Sequence, residues 1–152
     1  VLSRIDSRLI HGQVIEAWLP HLRVTRVVVA DDTTAADAFA QAAMSLAMPD
    51  SVEVRHTTLA ALDARALAAD AVPTLILFRD VPAAIAAREL GLPDGRLTLG
   101  NVHAGPGRHP VSRSVFLTEH EETQLAALQS SGMDVVIQAV PSEAPVPVVR
   151  TA

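Results

Sequence analysis

Runs of β-branched and large aliphatic residues alternate along the chain with Ala-rich stretches of helical composition. That alternation is the signature of an α/β fold. Arg26-Val27-Val28-Val29-Ala30 and Thr74-Leu75-Ile76-Leu77-Phe78 are apolar at consecutive positions rather than at every second one. Strands of this kind are covered on both faces, as in a parallel sheet. Val1 to Asp6, Val52 to His56, Arg96 to Leu99, Val111 to Leu117 and Asp134 to Val140 supply the remaining predicted strands. Helices are predicted over Gln13–Leu19, ended by Pro20, over Thr34–Met48, closed by Pro49, and over Leu59–Ala68. Two more run over Pro82–Leu90, with Gly91 just beyond, and from Thr118 to about Ser131 before Gly132. Thr118 and Glu121 form the Thr-x-x-Glu pattern of a capping box. The expected architecture is a single α/β domain with a mostly parallel open sheet of about six or seven strands and helices on both faces. Residues 1–141 make up this domain, and the Pro-rich residues 142–152 read as an irregular or extended tail.

Composition narrows the function. A chain of 152 residues fits one domain with its own core. Hydrophobic residues at 49% and charged ones at 19% argue for order. Aromatics at 3% and a formal charge of −5 disfavour nucleic acid, which needs stacking platforms and basic surface. Without cysteine there is no disulfide, thiolate metal site or thiol nucleophile, which fits a cytosolic protein. The six histidines contain no His-x-x-x-His pair, so neither a metal nor another cofactor is expected. No apolar run approaches the roughly 20 residues of a membrane helix. Val1-Leu2-Ser3-Arg4 lacks the features of a secretory signal, and without an initiating Met a few further residues are expected before it.

The densest chemistry lies near the start, in Arg4-Ile5-Asp6-Ser7-Arg8-Leu9-Ile10-His11-Gly12-Gln13-Val14. It sets His11 in the turn between a strand and a helix. A neutral imidazole is a competent nucleophile at physiological pH. The free N–H groups of Gly12 and Gln13 at a helix start would favour an anion there. Arg8 would add a forked clamp on phosphoryl oxygens. Nucleophile, anion cradle and countercharge together point to a histidine that accepts a phosphoryl group.

This motif, with Trp18 shortly after it, resembles the signature of the mannose/fructose/sorbose family of IIB subunits of the bacterial sugar phosphotransferase system. The likeness continues at Ala30-Asp31-Asp32, at Asn101-Val102 and from Val136 to Pro141. It implies a cytoplasmic phosphocarrier, held to the inner face of the membrane through its partners. His11 would take phosphate from a phosphohistidine on a IIA subunit or domain, through Nδ1 by analogy. It would then pass the group to a sugar held by membrane IIC and IID subunits. The residues themselves leave the ring nitrogen, the sugar and the oligomeric state open, a homo-oligomer included. They also leave open a regulatory phosphoacceptor that docks IIA without transport, and an α/β module that binds a free anion without covalent chemistry.

Other residues are weighed against this site. Asp6 is expected to orient Arg8 or His11, or else to cap the turn. Ser7 stands where the family commonly has a second aspartate. Asp31-Asp32 suits a helix start better than a metal site, since Thr33-Thr34 follows. Arg79-Asp80 is read as an ion pair at a helix start. The segment from Gly100 to Arg108 is glycine-rich, but Pro106 and the lack of a following helix argue against a dinucleotide loop. Asn101 and Arg108 are expected to approach the phosphohistidine, although His103-Ala104 stands where the family usually has glycines. Leu9, Ile10 and Trp18 are candidate docking contacts, Trp18 with a stronger claim as a core residue.

Overall fold

The computed structural model describes residues 1–148; the end of the expected tail, 149–152, lies outside the described residues. Seven strands form one sheet in the order β3-β2-β4-β1-β5-β8-β9. They are β1 (Leu2–Asp6), β2 (Arg26–Ala30), β3 (Glu53–Thr57), β4 (Thr74–Phe78), β5 (Arg96–Asn101), β8 (Asp134–Ile137) and β9 (Val146–Pro147). All neighbours are parallel except β9, which runs antiparallel to β8. The segment read as a tail therefore contributes an edge strand.

Side chains alternate between two cores because successive strand residues face opposite sides. Val28, Ile76 and Phe78 join one core, while Val27, Val29, Leu75 and Leu77 join the other. The first core is closed by α4 (Ala64–Ala69), α5 (Val81–Glu89) and α6 (Glu119–Ser130), which supply Leu67, Ala84 and Leu125. The second is closed by the helix after β1 and by Met44 of α3 (Ala38–Ala47), which packs against it.

Several predicted elements are revised by local chemistry. The helix expected to stop at Pro20 covers residues 12–22. Its middle, Val14–Trp18, is π-helical, and α1 (Leu19–Leu22) continues it with Pro20 in its first turn. Leu19 donates to the Val14 carbonyl, so the wider turn takes up a proline with no N–H to give. Arg23, in the left-handed region, ends the helix. The predicted helix 34–48 is two helices, α2 (Asp32–Ala35) and α3, because Asp37 caps the second through the Ala40 N–H. Met48 turns extended ahead of Pro49, which closes α3 as expected. The helix placed at 59–68 begins later, where Asp63 accepts from the Ala66 N–H and caps α4.

Of the strand predicted at 111–117 only its end is extended, as β7 (Phe116–Leu117); residues 111–114 form the turn that joins it to β6 (His109–Pro110) in an antiparallel ribbon outside the main sheet. The Ser112 hydroxyl accepts from the Ser114 and Val115 N–H groups and pulls the backbone out of extension. At α6, both halves of the capping box are made as predicted.

β1 lies mid-sheet, with β2 and β3 beyond β4 on one side and β5 and β8 on the other. The crevice outside the carboxyl end of such a strand is where open α/β sheets bind ligands. The residues after β1 occupy that position.

Candidate functional site

The loop after β1 is folded by its own aspartate. Asp6, with no exposed surface, accepts from the Arg8 N–H through Oδ1 at 3.0 Å. Its Oδ2 lies 3.0 Å from Nε2 of His11. The Leu9 N–H returns to the Asp6 carbonyl at 3.0 Å, which closes a tight turn and puts Leu9 at φ 56°. A left-handed Leu costs about 1 kcal/mol. Leu9 is 1% exposed, and burying a leucine returns about 2 kcal/mol, so the core holds the turn. Leu9 and Ile10 thus point inward, and the expectation that they form docking contacts is corrected. Trp18 is likewise buried, its indole N–H donating to the Ala139 carbonyl at 2.9 Å.

A buried carboxylate beside a ring nitrogen takes its N–H. Asp6 therefore fixes the proton on Nε2 and leaves the lone pair on Nδ1. The first backbone bond of the following helix runs from Ile15 N–H to the His11 carbonyl at 3.1 Å, so the N–H groups of Gly12, Gln13 and Val14 are left for an anion. A Cβ added at Gly12 would meet nothing within 4 Å, so the approach over this helix start is open. Arg8 lies across it, Nη2 3.4 Å from Oε1 of Gln13.

Beneath the loop sits Arg4, which the sequence reading did not single out. It is 1% exposed, and burial lowers its pKa to about 10 against the opposing pull of Asp6. Its Nη1 and Nη2 donate to the Gln138 and Ala139 carbonyls at 3.0 and 2.9 Å. Its guanidinium carbon is 4.4 Å from the centroid of the Trp18 ring, and Nε is 3.7 Å from Asp6. Arg4 thus supplies the countercharge that lets Asp6 stay buried. The sheet register shifts between Ile5 and Asp6, with Gly100 opposite the shift. A Cβ on Gly100 would come 1.8 Å from Nη2 of Arg4, so only glycine gives the guanidinium room. The available signal was a charged residue in the middle of a predicted central strand.

The neighbouring loops meet at Ser7. Its N–H donates to the Asn101 carbonyl at 2.8 Å, and its hydroxyl accepts from the His103 N–H at 3.1 Å. The β1 loop and the 101–109 loop are thus joined through Ser7. Arg79 does not pair with Asp80: its Nε and Nη2 donate to Asp31 at 3.0 and 2.9 Å, while Asp80 caps α5 through the Ala83 N–H. Burial pushes the Asp31 carboxyl up, but hydrogen bonds from Arg79 and Thr34 outweigh it and hold the group at about 2. Asp31 caps α2, which fulfils the helix-start reading of Asp31-Asp32. Arg108 is engaged by Glu121 at 3.2 and 3.3 Å and by the His103 carbonyl at 2.9 Å. It bolts the 101–109 loop to α6.

Among the described residues no group of three or more His, Cys, Asp and Glu could hold a metal ion, and no helix is long and apolar enough to cross a membrane.

Comparison with known proteins bears on this site as a whole. Residues 1–151 match the family described as PTS system sorbose subfamily IIB component. The chain is 31% identical over 144 residues to the N-acetylgalactosamine-specific phosphotransferase enzyme IIB component 2 of Escherichia coli (strain K12), covering 94% of this chain and 92% of that one. It is 25% identical to the mannose-specific EIIAB component of the same strain, covering 93% of this chain and 45% of that one. The crystal structure of manxB from Thermoanaerobacter tengcongensis superposes with a TM-score of 0.84 at 30% identity, covering 97% of this chain and 91% of that one.

Proposed function

The chain belongs to the sorbose-subfamily IIB components of the phosphotransferase system, and on that premise we propose that Nδ1 of His11 is its phosphoryl acceptor. It is a sugar phosphotransferase component, and the remaining question is how its residues carry the group. The observation that carries our reading is the 3.0 Å contact between buried Asp6 and Nε2 of His11, which frees Nδ1 at the open start of a helix.

Nδ1 attacks the phosphorus of a phosphohistidine on a IIA partner, in line with the bond that breaks. An N–P bond forms at His11 as the donor's N–P bond is lost, so the phosphoryl count is conserved and no cofactor enters. Positive charge developing on the His11 ring is offset by Asp6 through the Nε2 proton. Arg8 and the N–H groups of Gly12 and Gln13 offset the phosphoryl oxygens. Such transfers depend mostly on positioning and electrostatics. In a second in-line transfer the N–P bond of His11 breaks as an O–P bond forms to the hydroxyl of a sugar held by membrane IIC and IID subunits; the hydroxyl proton leaves to water, and the free imidazole is restored. The chain acts in the cytoplasm, meeting the membrane only through those subunits. A IIA donor is supported by the relative named EIIAB, of which this chain matches 45%.

The reading is tested by incubating the protein with phosphoenolpyruvate, the general phosphotransferase proteins and a family IIA. Nitrogen-15 and phosphorus NMR at mildly alkaline pH should show one phosphoramidate on Nδ1 of His11. Phosphate on Nε2 would reverse the assigned role of Asp6. Phosphorylation without sugar turnover beside IIC and IID would make the chain a regulatory acceptor.

A further inference from the structure

We propose that the Asp31–Arg79 pair is a positioning device for His11, acting through the peptide group between Ser7 and Arg8. The inference rests on His11 being the acceptor and adds a device outside the motif that carries it. Asp31 follows β2 and Arg79 follows β4, 48 positions apart, and both lie at the carboxyl edge of the sheet beside the β1 loop. Asp31 is 7% exposed and fixed by Thr34, whose N–H and hydroxyl donate to it at 3.0 and 2.7 Å. It grips Arg79 through two nitrogens, so the guanidinium plane is set before it reaches the loop. The third nitrogen, Nη1, extends 3.5 Å to the Ser7 carbonyl.

That carbonyl and the Arg8 N–H belong to one trans peptide and point in opposite directions. The N–H donates to Oδ1 of Asp6 at 3.0 Å, and Oδ2 of the same carboxylate holds Nε2 of His11. A cation on the oxygen and a carboxylate on the N–H polarise and orient this peptide from both ends. Its plane sets the rotation of the Asp6 carboxylate, and that rotation sets which nitrogen of His11 carries the proton. Removing the Arg79 charge loosens the plane, and the tautomer with its proton on Nδ1, which has no lone pair to attack with, becomes populated.

The test uses the full chain as wild type, Arg79→Gln, Arg79→Lys and Asp31→Asn. Two quantities are measured: the His11 tautomer ratio from ring nitrogen-15 shifts, and the phosphorylation rate against phospho-IIA concentration. Arg79→Gln should raise the Nδ1–H tautomer and lower the rate at saturating donor about tenfold, with half-saturation unchanged. Arg79→Lys, able to reach Asp31 or Ser7 but not both, should recover part of each. Asp31→Asn keeps an oxygen for Thr34 and should shift both readouts less. An unchanged tautomer ratio in Arg79→Gln overturns the proposal, as does a rise in half-saturation alone, which would make Arg79 a docking contact. Should Arg79→Gln fail to fold, Arg79→Lys and Asp31→Asn decide on the same two readouts. Should wild type accept no phosphate, the acceptor reading falls, and the tautomer ratio still judges the pair.

Discussion

His11 and His56 are the same residue near the carboxyl ends of two strands of one sheet, and they have been given opposite surroundings. His11 follows β1 in a loop, its side chain 12% exposed, with a buried carboxylate on Nε2 and a helix start behind it. His56 lies within β3, and both its ring nitrogens are buried without a hydrogen-bond partner. Burial alone lowers the His56 pKa below its ordinary 6.5 and keeps the ring neutral. A carboxylate on one ring nitrogen leaves the other free to act as a nucleophile; burial without partners gives only a neutral ring.

Making His11 more like His56 should have the largest effect. In Asp6→Asn the side-chain oxygen can serve the Arg8 N–H or the His11 Nε2–H, not both. Phosphoryl acceptance should fall about 100-fold, measured as the initial rate against phospho-IIA. Next is the support under Asp6. Gly100→Ala would drive a methyl group into Arg4 and should cost about 2 kcal/mol of stability in urea unfolding. Arg8→Ala should slow transfer about tenfold while Arg8→Lys recovers only part, because the lysine loses the fork. Equal rates in Arg8→Ala and wild type would remove Arg8 from the site.

The smallest effect lies at His56. Its folded pKa is depressed, so the unfolded chain takes up the proton first as pH falls. The neutral ring costs nothing extra above about pH 6.5, and stability is lost as pH falls from there through the lower folded value. His56→Leu should flatten that acid-side loss in denaturant melts run from pH 7.5 to 5, a range set about the ordinary histidine pKa. Phosphoryl transfer should not change.

Much of the fold was legible because the decisive signals were local. β2 and β4 follow from unbroken apolar runs, and α6 from Thr118 and Glu121. The break at Asp37 was hidden because the Ala-rich composition is equally helical on both sides of it, and only the cap geometry separates the halves. In the site, the motif placed His11, Arg8 and Asp6 in one loop. Arg79 was misjudged because an arginine beside an aspartate in sequence looks paired, whereas its actual partner is 48 positions away. Leu9 and Ile10 looked like surface contacts until the left-handed turn carried them into the core.

The central claim, that His11 carries the phosphoryl group, is tested most directly by intact-mass measurement at mildly alkaline pH after incubation with phosphoenolpyruvate, the general phosphotransferase proteins and IIA. The account predicts one added phosphoryl group that is lost in acid and absent from a folded His11→Ala variant. A phosphoryl group that persists in His11→Ala, or none on wild type while IIA itself is phosphorylated, would contradict it.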